Sequence, residues 1–177
     1  IGVPLKGRIP AEELAEEGRA IARLSDLGQG QTLRTFLAPD APDAEVPGQV
    51  GKWCLEVLAQ WDWKTRPEVV VSIPSNRRPV TVRSLAANLA TAGRLVDGGE
   101  LLQVGDHGTP DVNSAFRVKD LYEAFVVPPE VEEAVAGKSV LLVDDEVVSR
   151  WTMTVCARLL RRAGATSVLP FALALRA

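Results

Sequence analysis

The chain has 177 residues and a mass of 19.0 kDa, with 46% hydrophobic and 24% charged side chains, proportions that exclude wholesale disorder. Its formal charge of -3, from 20 basic and 23 acidic residues, excludes a general polyanion binder and leaves only a local patch for any nucleic-acid contact. No apolar run approaches the roughly 20 residues that a membrane-spanning helix needs, so no membrane partner is expected.

The chain begins at Ile1 and its single methionine is Met153, so the natural start is expected to lie elsewhere, lost by processing or by excision from a longer protein. Lys6 and Arg8 lead into glutamates rather than into an apolar stretch, which is not a secretory pattern. Cys54 and Cys156 are far apart in apolar helical patterns and read as buried, reduced thiols of a cytoplasmic protein. The one histidine, His107, falls in a loop-like stretch beside Asp106 and two glycines and reads as a solvated loop residue.

Residues 1–66 read as a helical N-terminal extension. Pro10 opens a first helix with Glu12, Glu13, Glu16 and Glu17 in its early turns, where the helix dipole favours negative charge. Gly28 and Gly30 break it, and a short second helix is expected over Thr32 to Leu37. The stretch from Ala38 to Gly48, with Pro39, Pro42 and Pro47, reads as a linker or surface loop. A third helix is expected from about Val50 to Trp63, with Trp53, Trp61 and Trp63 as a packing cluster that holds the extension on the rest of the chain.

From Pro67 the pattern becomes that of an α/β domain, residues 67–177. Val69-Val70-Val71 with Ile73 is a short continuous apolar run bounded by prolines, the signature of a buried parallel strand. After the loop Pro74 to Pro79, Val82, Leu85, Ala86, Leu89 and Ala92 recur at helical spacing. Leu101 to Val104 and Phe125 to Val127 are expected as further strands, and Glu130 to Ala136 as a short helix. Ser139 to Val143 is the strongest strand, ending at Asp144-Asp145; a helix from about Thr152 to Ala163 and a strand from Val168 to Leu173 complete a βαβ unit. A mostly parallel twisted sheet flanked by helices follows.

In an open α/β sheet, ligands bind beyond the carboxyl ends of the strands. Asp144 and Asp145 stand at one such end, where paired carboxylates can grip sugar hydroxyls or a divalent metal. The segment after them enters a helix whose free N–H groups suit an anion, with Ser149, Thr152 and Thr154 as hydroxyl donors. The same residues also fit an acidic strand end followed by ordinary Ser/Thr capping. The second candidate is Ser75-Asn76-Arg77-Arg78, two arginines beside small donors just after a strand, which suits a phosphate or pyrophosphate and equally a solvated basic turn. No cluster at metal-ligand spacing is present in the sequence.

The run Val140-Leu141-Leu142-Val143-Asp144-Asp145, with Thr152 downstream, resembles the signature of type I phosphoribosyltransferases: four apolar residues, two acids, then a Thr-Gly-x-Thr/Ser phosphate loop. The resemblance implies that Asp144 and Asp145 hold the ribose hydroxyls of phosphoribosyl pyrophosphate. Val148, Ser149, Arg150, Trp151 and Thr152 would form the 5′-phosphate loop, and Ser75, Asn76, Arg77 and Arg78 the pyrophosphate loop, with Mg²⁺ as cofactor. Asn113 to Val118, with Asn113 and Arg117, is similar to a mobile region of ComF-type members.

More narrowly, Ile9-Pro10-Ala11-Glu12-Glu13, Leu24-Ser25-Asp26-Leu27-Gly28, Ser72-Ile73-Pro74-Ser75, Arg83-Ser84-Leu85-Ala86, Asn113-Ser114-Ala115-Phe116 and Trp151-Thr152-Met153-Thr154-Val155 resemble the C-terminal phosphoribosyltransferase-like region of bacterial, actinobacterial-type RecQ-like ATP-dependent DNA helicases. That implies an accessory domain with a helicase motor in cis and with DNA, unwound and repaired, as the parent's partner. The motor is not in these residues, which lack a G-x-x-x-x-G-K-[ST] motif. One departure bears on activity: Arg150 stands where the family has glycine, removing the freedom that lets a backbone close on a phosphate. The expectation is therefore a degenerate site for a phosphate, sulfate or sugar-phosphate anion. The alternatives are an active phosphoribosyltransferase using phosphoribosyl pyrophosphate and Mg²⁺, and a DNA- or protein-docking module.

Overall fold

The computed structural model describes residues 11–104 and 124–176. At its centre lies β6 (Ser139–Val147), with β2 (Val69–Ser72) on one side and β7 (Ser167–Leu175) on the other. β3 (Val96–Glu100) extends the sheet beyond β2, and β1 (Arg19–Arg23) beyond β7. All four pairings are parallel, giving the order β1-β7-β6-β2-β3.

The unbroken apolar run of β6 exists because both of its faces are covered. Leu141 and Val143 enter one core with Val70, Phe171 and Leu173. That core is closed by α1 (Gln29–Phe36), α2 (Gly48–Gln60) and α3 (Pro79–Gly93), through Leu33, Val50, Cys54, Leu85 and Leu89. Val140 and Leu142 enter a second core with Val69, Val71 and Val168. It is closed by α4 (Pro129–Val135) and α5 (Arg150–Arg162), through Val131, Val135, Cys156 and Leu160. The fold is thus an α/β layer structure, with β6-α5-β7 as the expected βαβ unit.

The N-terminal segment departs from the helical expectation. Among the described residues before Leu24, Ala11–Glu13 forms a short 3-10 turn, and Arg19–Arg23 is the edge strand β1. The chain there runs so close to β7 that a Cβ on Gly18 would lie 3.0 Å from the carbonyl oxygen of Pro170. Glu13, expected in a helical first turn, instead accepts hydrogen bonds from Arg158 and Arg162 of α5. Alternating short apolar residues in this segment fit either period, and the vacant edge of β7 decides for a strand. α1 and α2 form close to their expected bounds and share a core with the sheet. Trp61 is buried, its ring centroid 5.8 Å from that of Trp63, and the Arg19 guanidinium lies 5.5 Å over it.

Two further differences concern strands. β3 contains Asp97, Gly98 and Gly99, poor strand formers, and no strand was expected there. A Cβ on Gly98 would come 2.7 Å from a methyl of Val69, so glycine is what lets β3 pair with β2. Phe125–Val126 (β5) does not join the main sheet; it pairs antiparallel with Leu102–Gln103 (β4) over the second core.

Candidate functional site

β6 does not stop at the acid pair but runs through it to Val147. Val143 packs into the first core and Val147 against the second, although strict alternation would put residues four apart on one face. The slip sends both Asp145 and Glu146 towards the start of α3. There the buried guanidinium of Arg78 lies 3.2 Å from Asp145 and 3.9 Å from Glu146. Arg78 also donates to the carbonyl of Leu37, at the end of α1. Glu146 is held from its other side by Arg176, through contacts of 2.6 and 3.1 Å.

β2 leads through α3 to β3 at one edge, and β6 leads through α5 to β7 in the opposite direction. α3 and α5 lie on opposite faces, so a crevice opens between the carboxyl ends of β2 and β6, the switch point where such folds take ligands. A cavity of about 440 Å³ occupies it. Ser75, Asn76 and Arg77 line one side, Asp144, Asp145, Val148, Ser149 and Thr152 the other, and Phe125 and Met153 contribute apolar wall.

Both loops singled out from the sequence therefore meet at one cavity, but not with every member. Arg78 faces away from it, into its ion pairs. Arg150 and Trp151 are exposed and do not line it; Arg150 borders a separate groove against the N-terminal segment. Asn113 and Arg117 lie outside the described residues, as does His107. Arg150 is the first residue of α5 and its φ is not positive, so the chain does not make the turn that would require glycine. Ser149 caps α5 by accepting from the Trp151 N–H at 3.3 Å.

The electrostatics divide the carboxylates. Asp145 and Glu146 are each ion-paired to arginine. Asp144 has no cation beside it in the described structure; burial, followed by the neighbouring charge of Asp145, pushes its carboxyl well above the ordinary range. Arg77 stands exposed at the rim with no carboxylate paired to it among the described residues. The groups left for a ligand are thus mainly donors: the Arg77 guanidinium, the Asn76 amide and the hydroxyls of Ser75, Ser149 and Thr152, with the Asp144 carboxyl beside them. That set is suited to an anion carrying hydroxyls.

Sequence reasoning missed three residues that shape the site. Glu146 and Arg176 complete the ion-pair chain. Asp43, in the proline-rich segment read as a linker, accepts from the N–H groups of Val80 and Thr81 at 2.9 and 3.0 Å and from the Thr81 hydroxyl at 3.0 Å. It caps α3 from 37 residues away, a contact that no local pattern announces.

No family model matches this chain, and no curated protein matches it. Among solved structures, the allosteric regulatory enzyme of purine biosynthesis overlaps with 79% of this chain and 30% of its own, at 22% identity and a TM-score of 0.49. The glutamine phosphoribosylpyrophosphate (PRPP) amidotransferase from B. subtilis, complexed with ADP and GMP, overlaps with 70% of this chain and 25% of its own, at 25% identity and a TM-score of 0.40. This chain spans under a third of either solved chain. The overlap is loose in both cases, and the α/β fold stated above rests on this chain's own strand order and register.

Proposed function

We propose that this is a phosphoribosyltransferase-like domain whose strand-end cavity binds a sugar-phosphate anion without transferring it. The observation that carries this reading is the meeting of Ser75–Arg77 with Asp144–Thr152 around one cavity whose uncommitted groups are mainly donors. Transfer needs carboxylates free to hold the ribose hydroxyls, and Asp145 is instead tied to Arg78. The accessory role beside a RecQ-like helicase motor draws its support from the sequence resemblance, which extends over most of the chain. Within that role the -3 charge favours DNA being gripped by the parent rather than by this domain.

Calorimetric titration with ribose 5-phosphate tests the reading. Binding is expected in the wild type, weakened about tenfold or more in Arg77→Ala and in the double variant Ser149→Ala/Thr152→Val, since each loss removes hydrogen bonds to a charged group. Unchanged affinity in both variants places the ligand elsewhere. No pyrophosphate release from phosphoribosyl pyrophosphate is expected with any nucleobase; turnover refutes the non-catalytic half of the reading.

A further inference from the structure

The two ends of the cavity are not equally open. On the β6 side, Ser149 and Thr152 present hydroxyls to it, and on the β2 side Asn76 and Arg77 do so with an amide and a guanidinium. Among the described residues that follow Arg77, the groups that would take a second phosphate are already used. The first is Arg78, whose guanidinium is held by Asp145, Glu146 and the Leu37 carbonyl and is buried. The second is the start of α3, the helix that follows this loop. Its Val80 and Thr81 N–H groups are occupied by the carboxylate of Asp43, so a negative charge already sits where an anion would otherwise dock. Ser75 is partly committed too, because its hydroxyl oxygen accepts from the Arg78 N–H at 3.0 Å.

The same contacts bear on the divalent ion that a phosphoribosyltransferase-like fold implies. Mg²⁺ takes hard oxygen ligands in octahedral geometry, usually one or two ionised carboxylates together with phosphate and water. Here Asp145 and Glu146 are neutralised by Arg78 and Arg176. Burial favours the protonated form of Asp144, their unpaired neighbour. Among the described residues, no group of three or more His, Cys, Asp or Glu side chains is placed to hold a metal ion. The donor set does not fit the ion.

We infer that the cavity selects a sugar monophosphate over a sugar carrying a pyrophosphate, and that it binds its ligand without a divalent cation. The inference rests on the sugar-phosphate reading and narrows it to a ligand class. Asp43 and Arg78 set this preference without lining the cavity: one occupies the start of the helix that follows the loop with a fixed carboxylate, and the other withdraws the arginine that would have answered the extra charge. The monophosphate keeps Arg77 as its counter-charge among the described residues.

The test is calorimetry on the wild-type chain with ribose 5-phosphate and with phosphoribosyl pyrophosphate, each measured in EDTA and again with excess Mg²⁺. Ribose 5-phosphate is expected to bind with a dissociation constant that changes less than about twofold on adding Mg²⁺, and the pyrophosphate compound to bind no tighter than it. Binding of the pyrophosphate compound with Mg²⁺ about tenfold tighter or more overturns the inference while leaving the sugar-phosphate reading intact. A Mg²⁺ requirement for ribose 5-phosphate does the same. No binding of either compound under either condition overturns both.

Discussion

Among the described residues, Asp144 is the one carboxyl of the acid cluster with no arginine beside it, and its behaviour gives the site a pH signature. Folded Asp144 keeps its proton to a higher pH than it does in the unfolded chain. The folded state therefore binds the extra proton, and stability falls as pH rises from the ordinary carboxylate range through the raised value. Asp144→Asn removes that loss. Melting temperatures of wild type and variant, followed from about pH 5 to about pH 8, are expected to diverge in the variant's favour as pH rises. A gap growing by about 2–4 °C corresponds to ~1 kcal/mol in a domain of this size, and a constant gap shows that Asp144 ionises freely. Asp43 acts in the opposite sense. Burial pushes its carboxyl up, but the Val80 and Thr81 N–H groups outweigh that and hold it below the ordinary range, so its stabilisation is lost only at more acid pH. Arg78 poses a different problem, since removing it strands the buried carboxylate of Asp145, while Glu146 keeps its contacts with Arg176. Arg78→Met is expected to cost about 3–5 kcal/mol in denaturant unfolding. The double variant Arg78→Met/Asp145→Asn should recover part of it, and additivity of the two changes would show that the pair is not coupled.

At the scale of elements, what could be read from the chain depended on whether its partners were local. The buried strands β2, β6 and β7 announced themselves because a strand covered on both faces must be apolar throughout. α2, α3 and α5 were legible for the same reason at helical period. β1 was not, because Arg19–Arg23 is a strand by virtue of the β7 edge beside it. β3 was hidden because its glycines are there for close approach to β2 rather than for propensity. The site followed the same rule. Asp144, Ser149, Ser75 and Arg77 were visible as strand-end residues, whereas the commitment of Arg78 to Asp145 spans 67 residues and the cap from Asp43 spans 37. α3 offers a test at both ends. Asp43→Ala uncaps its start and is expected to cost about 1 kcal/mol, within the range for lost N-caps. Arg94, at its C-terminal end, adopts φ 54, a left-handed conformation that glycine enters without penalty. Arg94→Gly is therefore expected to leave stability unchanged or to raise it by up to ~1 kcal/mol, where most substitutions to glycine destabilise. A marked loss would mean that the Arg94 side chain holds the helix end.

For the molecule as a whole, the composition shift at Pro67 suggested an extension followed by an α/β domain, yet the packing does not divide there. β1 completes one edge of the sheet, and Leu33, Val50, Cys54 and Trp61 share a core with Val70, Leu141, Phe171 and Leu173. The Leu37 carbonyl and Asp43, both before Pro67, hold Arg78 and the start of α3, so the candidate site is also built from both sides of that boundary. Residues 67–177 expressed alone would leave one face of the central strands open to water, an apolar area whose burial is worth about 25 cal/mol per Å², and would free the edge of β7 for pairing with other chains. That fragment is expected to show no cooperative thermal transition, to bind the dye ANS strongly and to aggregate. Adding residues 11–66 back in the same chain should restore a single transition followed identically by far-UV circular dichroism and by fluorescence of the Trp61–Trp63 pair. If residues 67–177 alone melt cooperatively, the first core is not shared in the way the contacts require, and the boundary at Pro67 separates two folding units after all.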